Sequence, residues 1–318
     1  MGKFIRKILI LAVVTAIIIT IVNGVFVKRY QVSPAIAKFK EIPSELDICN
    51  FGSSHGYCGF DYSNVNEKYE CFNFALTEQT LSYDYRLFEE FGNSIKEGTI
   101  VFIPISYFSL WGEKEDYSAR FEAKNKRYYS ILSPDLIKDY SWEKDLLIRK
   151  IPVLGASTGD MIRVLLGLPL IDDNAPYQVA TDIDIEHAAE NAYYGHIIKY
   201  KFDEDGNRIR NDEEIEALYN LINECRNRGA IPILITTPYL KEYTDKVIND
   251  PNEFYEEYYG ILDAISKETQ TPYYDFAFDE RFMYSYELFR DADHLNADGA
   301  KLFVDILLNE VVQGKTER

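Results

Sequence analysis

The sequence is poor in the residue types that usually announce a metal or redox function. Its 318 residues include four histidines, four cysteines, three methionines and two tryptophans. Cys49, Cys58, Cys71 and Cys225 show no C-x-x-C or other metal-ligand spacing. His187 and His196 lie near Glu186 and Glu190 without the His-Glu-x-x-His spacing that places two imidazoles on one helical face. No metal site and no cofactor are therefore expected. A Cys58–Cys71 disulfide is open to a domain outside the cytoplasm, whereas the apolar surroundings of Cys49 and Cys71 point to buried free thiols. Positive charge is also scarce: 34 Lys and Arg stand against 52 Asp and Glu, a net −18, and the cations are scattered. A phosphate backbone would meet repulsion over most of the surface, which excludes nucleic acid as a partner, and the acidity itself is read as a device for solubility. Low-complexity stretches and internal repeats are missing too, so one large globular domain is expected.

One long hydrophobic run is present. Ile8 to Val27 is uncharged over twenty residues, preceded by Lys3, Arg6 and Lys7 and followed by Lys28 and Arg29. At ~1.5 Å per residue such a run crosses a bilayer core. A cleaved signal peptide would have a shorter apolar part and a small-residue cleavage pattern, which is not evident, so an uncleaved anchor is favoured. Basic residues flank both ends equally, so charge does not orient it. The expected organisation is an N-terminal tip and anchor over 1–29, a linker over 30–46 held extended by two prolines, and a domain over 47–318.

Within that domain, apolar strand-like runs alternate with amphipathic helical patterns. Strands are expected at Asp47 to Phe51, Tyr69 to Leu76, Thr99 to Ile105, Ile231 to Thr237 and Pro272 to Phe276. Helices are expected at Glu78 to Phe91, Glu213 to Arg228, Glu253 to Lys267 and from near Asp298 onward. This alternation predicts an α/β fold, a three-layer α/β/α sandwich with a mainly parallel sheet. About 107–211 breaks the pattern and reads as a mostly helical insertion. Inside it, HIIKYKFDEDGNRIR suggests a β-hairpin around Asp205-Gly206, and Leu146 to Ile171 is apolar with a local excess of Arg149, Lys150 and Arg163 over Asp160. That excess fits contact with anionic headgroups or a partner membrane protein; ordinary buried helices are the plainer alternative.

Two short segments carry chemistry. Gly52-Ser53-Ser54-His55-Gly56 directly follows the first strand, where a serine is exposed at the sheet edge and backbone N–H groups can hold an oxyanion. Near the C-terminus, Asp291 stands three residues before His294, a spacing that lets the carboxylate orient Nδ1 so that Nε2 can take a serine proton. Each segment alone also fits a polar turn or a helix-capping loop. His55 by itself is expected to be a solvated turn residue, with substrate contact as the alternative. The 25 tyrosines and 19 phenylalanines suit a sugar-stacking wall, though aromatics more often form core.

From Asp47 to the last helix, with the insertion set aside, the chain resembles the SGNH (GDSL-type) hydrolases. Gly52, Ser53 and Ser54 match the first block, Asp291 and His294 the last, HLNADGA resembles its continuation into the final helix, and ILITTPY the penultimate core region. The resemblance implies Ser54 as nucleophile and Asp291 and His294 as its partners, with Gly52, Ser53, His55, Asn73, Glu78 and Ser106 as oxyanion or substrate-binding candidates. Ser53 in place of the usual aspartate is similar to the branch holding the teichoic-acid D-alanylation protein and polysaccharide O-acetylation proteins. That branch implies an extracytoplasmic domain on a single-pass cell-membrane anchor, a cell-envelope polysaccharide or glycan substrate, and a polytopic membrane acyltransferase as possible partner. Two blocks depart: Glu78 replaces an oxyanion-hole glycine, and the third block's asparagine is missing where Ser106 follows the third strand. Those departures keep open a non-catalytic, glycan-binding or complex-organising module. Gly52-x-Ser54-x-Gly56 also satisfies the α/β-hydrolase elbow, but too little chain precedes Ser54 to build that fold's sheet.

Overall fold

The structure is a computed structural model that describes residues 1–29, 33–115, 117, 121–168 and 184–312. It divides into two compact units, Met1–Lys40 with Glu115–Ala175, and Glu41–Lys114 with Pro176–Arg318. Residues 107–211, expected as one insertion, are thus shared between the units.

The second unit is built on five parallel strands in the order β2-β1-β3-β4-β5: β1 Leu46–Asn50, β2 Cys71–Asn73, β3 Ile95–Pro104, β4 Ile231–Thr236 and β5 Tyr273–Asp275. Apolar residues fill both faces, as a parallel sheet covered by helices requires. Ile48, Phe102, Ile233 and Ile235 join Phe60, Phe276 and, from the C-terminal helix Ala297–Ile306, Phe303 and Val304 in one core. That helix also packs on the short helix Ser54–Gly59. The alternate residues Val101, Ile103 and Leu234 turn to the opposite face. There the helix Leu81–Phe91 packs on Asp212–Asn227, and that one on Phe254–Thr269. The result is the three-layer α/β/α sandwich.

Strand order reverses at β1, whose neighbours β2 and β3 are entered by connections in opposite directions. In an open parallel sheet this point leaves a crevice beyond the carboxyl ends of the strands. Ser54 follows β1 there, and Ser106 follows β3.

Three local expectations need correction. Helix Lys241–Ile248 has no counterpart in the predicted elements. The expected hairpin keeps its turn, with an Asp203 N–H to Asn207 bond of 2.9 Å and a single Phe202–Arg208 bridge, but Tyr194–Ile198 ahead of it is helical. Residues 33–40 of the linker coil into helical turns rather than staying extended, because Pro34 occupies the first helical position, where a missing N–H costs nothing.

The first unit contains the helix Gly2–Arg29 and a set of short helices, among them Trp142–Asp145, Pro152–Gly155 and Thr158–Leu166. Gly2–Arg29 is long and apolar enough to cross a membrane. Phe26 packs with Val153 and Val164, and the Asn23 side chain donates to the Lys150 carbonyl at 3.1 Å and accepts from Val153 N–H at 3.3 Å.

Candidate active site

The turn after β1 is fixed by backbone proximity. Gly52 has φ +112°, a conformation that favours glycine, and a Cβ there would meet the Pro104 ring at 3.3 Å. Its N–H donates to the buried Asp84 carboxyl at 2.9 Å, which Gln79 Nε2 also approaches at 2.6 Å. Burial pushes Asp84 up to about 7 against these two hydrogen bonds, and its second oxygen has no partner. Gly56 is pressed against the strand end: a Cβ would lie 2.5 Å from the Phe51 carbonyl.

Asn50 and Asn73 hold the short helix from beneath. Asn50 Nδ2 donates to Asn73 Oδ1 at 3.0 Å, and Asn73 Nδ2 reaches the Gly56 and Phe60 carbonyls, each at 3.1 Å. Asn73 Oδ1 also accepts from Ala75 N–H at 2.9 Å, and Leu76 N–H donates to Gly52 O at 3.3 Å. Asn73 therefore braces the helix that bears Ser54, and the amides of Ala75 and Leu76 are engaged internally. Glu78, where the SGNH resemblance expects a glycine, is exposed and adopts φ +54°, a region costly for a residue with a Cβ.

His294 lies in a loop pinned at both ends. Phe289 bridges Leu295, Arg290 N–H donates to His294 O at 2.9 Å, and Asn296 caps the C-terminal helix by accepting from Asp298 and Gly299 N–H, each at 3.0 Å. Asp291 Oδ1 takes the His294 backbone N–H at 2.8 Å and faces Nδ1 of the same residue at 3.0 Å. On the far side of the ring, Nε2 is 2.8 Å from Ser54 Oγ. With two carboxylates facing Nδ1, the neutral ring carries its proton there and Nε2 accepts from the Ser54 hydroxyl.

A second chain of the same residue types lies directly behind. His55 Nε2 faces Asp293 Oδ2 at 2.9 Å, and His55 Nδ1 faces Ser106 Oγ at 2.7 Å. The carboxylate places the proton of His55 on Nε2, so Ser106 donates to Nδ1 and Ser53 donates to Ser106 across 3.1 Å. Ser106, His55 and Asp293 are 1, 2 and 4 % exposed. The expectation of a solvated His55 is thus overturned, because the short helix turns its side chain inward to a buried carboxylate. His196 adds a third ring, with Nδ1 2.9 Å from Tyr243 OH and 3.5 Å from Asp293.

No protein-family model matches the chain, and neither does any curated protein. Among solved structures it is similar to an acylhydrolase candidate from Bacteroides fragilis, at 13 % identity and a TM-score of 0.40, covering 90 % of this chain and 96 % of that one. At that level the likeness assigns no chemistry, which rests on the side chains.

Electrostatics separate the three rings. For His294, burial opposes the charged form, but Asp293 and Asp291 outweigh it and hold the imidazole well above its ordinary value. His55 is lowered, chiefly by burial, and burial brings His196 down to about 3. Asp293 is held well below the usual carboxylate range: burial opposes ionisation, but His294 and the His55 hydrogen bond prevail. One ring is thus poised to take a proton while its two neighbours stay neutral. His55, Asp293 and His294 offer ligand atoms within 4.8 Å of one another. Asp293 lies between the two rings, 2.9 Å from His55 Nε2 and 3.3 Å from His294 Nδ1.

Of the residues singled out in the sequence, Ser54, His294 and Asp291 come together at the half-buried edge of the sheet. Ser53, His55 and Ser106 form the buried relay, Gly52 and Asn73 the frame, and Glu78 an exposed position beyond it. His187 is exposed. Asn50, Asp293 and His196 were missed. Only Asp293 left a local signal, as the second carboxylate of Asp291-Ala-Asp293-His294. All four cysteines are free.

Proposed function

We propose that the chain is a membrane-anchored serine esterase or O-acyltransferase of the SGNH type, acting on cell-envelope polysaccharide or teichoic-acid-type polymers. The observation that carries the reading is the 2.8 Å approach of His294 Nε2 to the half-buried Ser54 hydroxyl, with Asp291 on Nδ1. His294 takes the Ser54 proton as Oγ bonds to the acyl carbon. The amides of the first turn of Ser54–Gly59, which have no intrahelical acceptor, are candidates to receive the oxyanion. Collapse of the tetrahedral intermediate breaks the ester bond, and the imidazolium returns its proton to the leaving alkoxide. Water, or a polymer hydroxyl, then attacks the acyl-enzyme with His294 again as base. The apolar helix Gly2–Arg29 would tether this domain on the extracytoplasmic side of the membrane, where a polytopic acyltransferase could supply acyl groups.

The buried Ser106 favours the rival, a non-catalytic glycan-binding module. Ser106 occupies the place of the third-block oxyanion donor, yet its hydroxyl is engaged by His55. Labelling the full chain with a serine-directed fluorophosphonate separates the two readings. A single adduct on Ser54, lost in His294→Ala, supports the enzyme. An intact, folded chain that takes up no probe supports the binding module.

A further inference from the structure

Besides the helix Gly2–Arg29, the described residues of the first unit leave apolar side chains exposed around Trp142 and, more densely, across residues 154–168. Leu154, Ile162, Leu166 and Leu168 are each at least half exposed, and Met161 is 36 % exposed. They belong to the short helices Pro152–Gly155 and Thr158–Leu166 and the turn that follows. On the second of these, Val164 is buried against Phe26, and Ile162 and Leu166 fall on the opposite side at 100° per residue. A helix that is apolar on both sides is ordinarily buried on both.

Its neighbour identifies the covering medium. The contacts fall on Asn23 and Phe26, four residues and one residue before Val27, where the uncharged run ends. At ~1.5 Å per residue that is about 2–6 Å inside the end of the run. An amphipathic helix lying in a membrane interface sinks ~5–10 Å, which is the same depth. The polar groups fit this level. Asn23, the only amide in the run, is satisfied by Lys150 O and Val153 N–H rather than left in hydrocarbon. Lys150 immediately precedes these helices, beside an Arg149 that is paired with Asp145, and Lys28 and Arg29 close the run, so cations gather where anionic headgroups would lie.

We propose that residues 152–168 form a membrane-embedded foot, its Leu154, Met161, Ile162, Leu166 and Leu168 side chains inserted among lipid acyl chains beside the spanning helix. This rests on the reading of Gly2–Arg29 as an anchor. The foot makes the attachment of the unit to the bilayer a two-element one, a crossing helix and a helix pair lying in the interface.

The test uses the full chain in phosphatidylcholine and phosphatidylglycerol vesicles containing a phospholipid with a diazirine on its acyl chain. After irradiation and digestion, the adducts are mapped. Adducts on the Ile8–Val27 peptides and on Leu154, Ile162, Leu166 or Leu168 are expected, with none on Ile231 and Ile248 of the sheet unit, which are 42 and 48 % exposed. Adducts on the anchor without any on 152–168 overturn the foot and leave the anchor standing, meaning that protein covers this face. Absence of anchor adducts overturns both. Ile162→Ser with Leu166→Ser should lower labelling of 152–168 and leave labelling of the anchor unchanged.

Discussion

Two Ser–His–Asp chains lie back to back at the carboxyl edge of this sheet, and they differ mainly in burial. In one, Ser54, His294 and Asp291 are partly open to solvent; in the other, Ser106, His55 and Asp293 are enclosed. Hydrogen-bond lengths alone would not choose between them, since serine–imidazole distances are 2.8 Å in the first and 2.7 Å in the second. The choice comes from access and from charge. Of the two serines only Ser54 is open to solvent, and the two carboxylates converge on His294, whereas burial lowers His55. The enclosed chain is therefore a support: its aspartate contributes charge to the ring in front.

The strongest way to break this contrast is to remove each serine hydroxyl. Ser54→Ala and His294→Ala should each lower hydrolysis of an activated ester by ~10⁴-fold or more, and Asp291→Asn by somewhat less. Ser106→Ala should stay within about tenfold, while unpairing His55 costs ~1–3 kcal/mol of stability. Equal losses at Ser54 and Ser106 in burst or steady-state assays would erase the distinction.

Next comes the shared carboxylate. The base must be neutral, and its raised value places the rise of rate with pH above the ordinary histidine value of ~6.5. Asp293→Asn removes the leading charge that favours the imidazolium, so the profile should move toward acid. A profile that stays in place, read from rates across pH 5 to 9, would disconnect the two chains.

Asp84, under Gly52, sharpens the comparison through stability. Its folded value of about 7 lies above the ~3.9 of an unfolded aspartate, so the folded state holds a proton that the unfolded state lacks between the two. Stability from this group is greatest below pH ~4 and falls as pH rises to 7. Asn does not titrate, so Asp84→Asn should be stabilising by roughly 1–3 kcal/mol at pH 8 and should lose that advantage at pH 4. Thermal unfolding of the two full chains at both pH values decides it.

The smallest effect is expected at the rim. Glu78→Gly relieves a positive φ and should change stability by no more than ~1 kcal/mol, visible as a small rise in unfolding temperature.

The sheet was legible because β4 and the second half of β3, Thr99 to Pro104, are continuous apolar runs that need no partner to be recognised. Ser54, Asp291 and His294 were legible for a different reason: a strand-to-helix turn and a three-residue spacing are local. What supports them is not local. His55 looks like a polar turn residue until Asp293, more than two hundred positions away, is placed beside it. His196 sits in a segment of short helices with no sustained periodicity, and the helix Lys241–Ile248 follows Thr237-Pro-Tyr-Leu, a stretch read as the end of a strand. The same limit applies to Asn50, whose side chain meets its partners only after β1 and β2 have paired.

Gly56 gives this arrangement a dimension. The helix bearing Ser54 rests on the strand end at a spacing that no side chain at position 56 would permit, since an added carbon would overlap the Phe51 carbonyl and crowd Ala75 at 3.0 Å. The gap between Ser54 and His294 is therefore gauged by an atom that is not there. Any larger residue at 56 acts as a shim: it lifts the helix, carries the Ser54 oxygen with it, and detunes a 2.8 Å contact without altering a single reacting group.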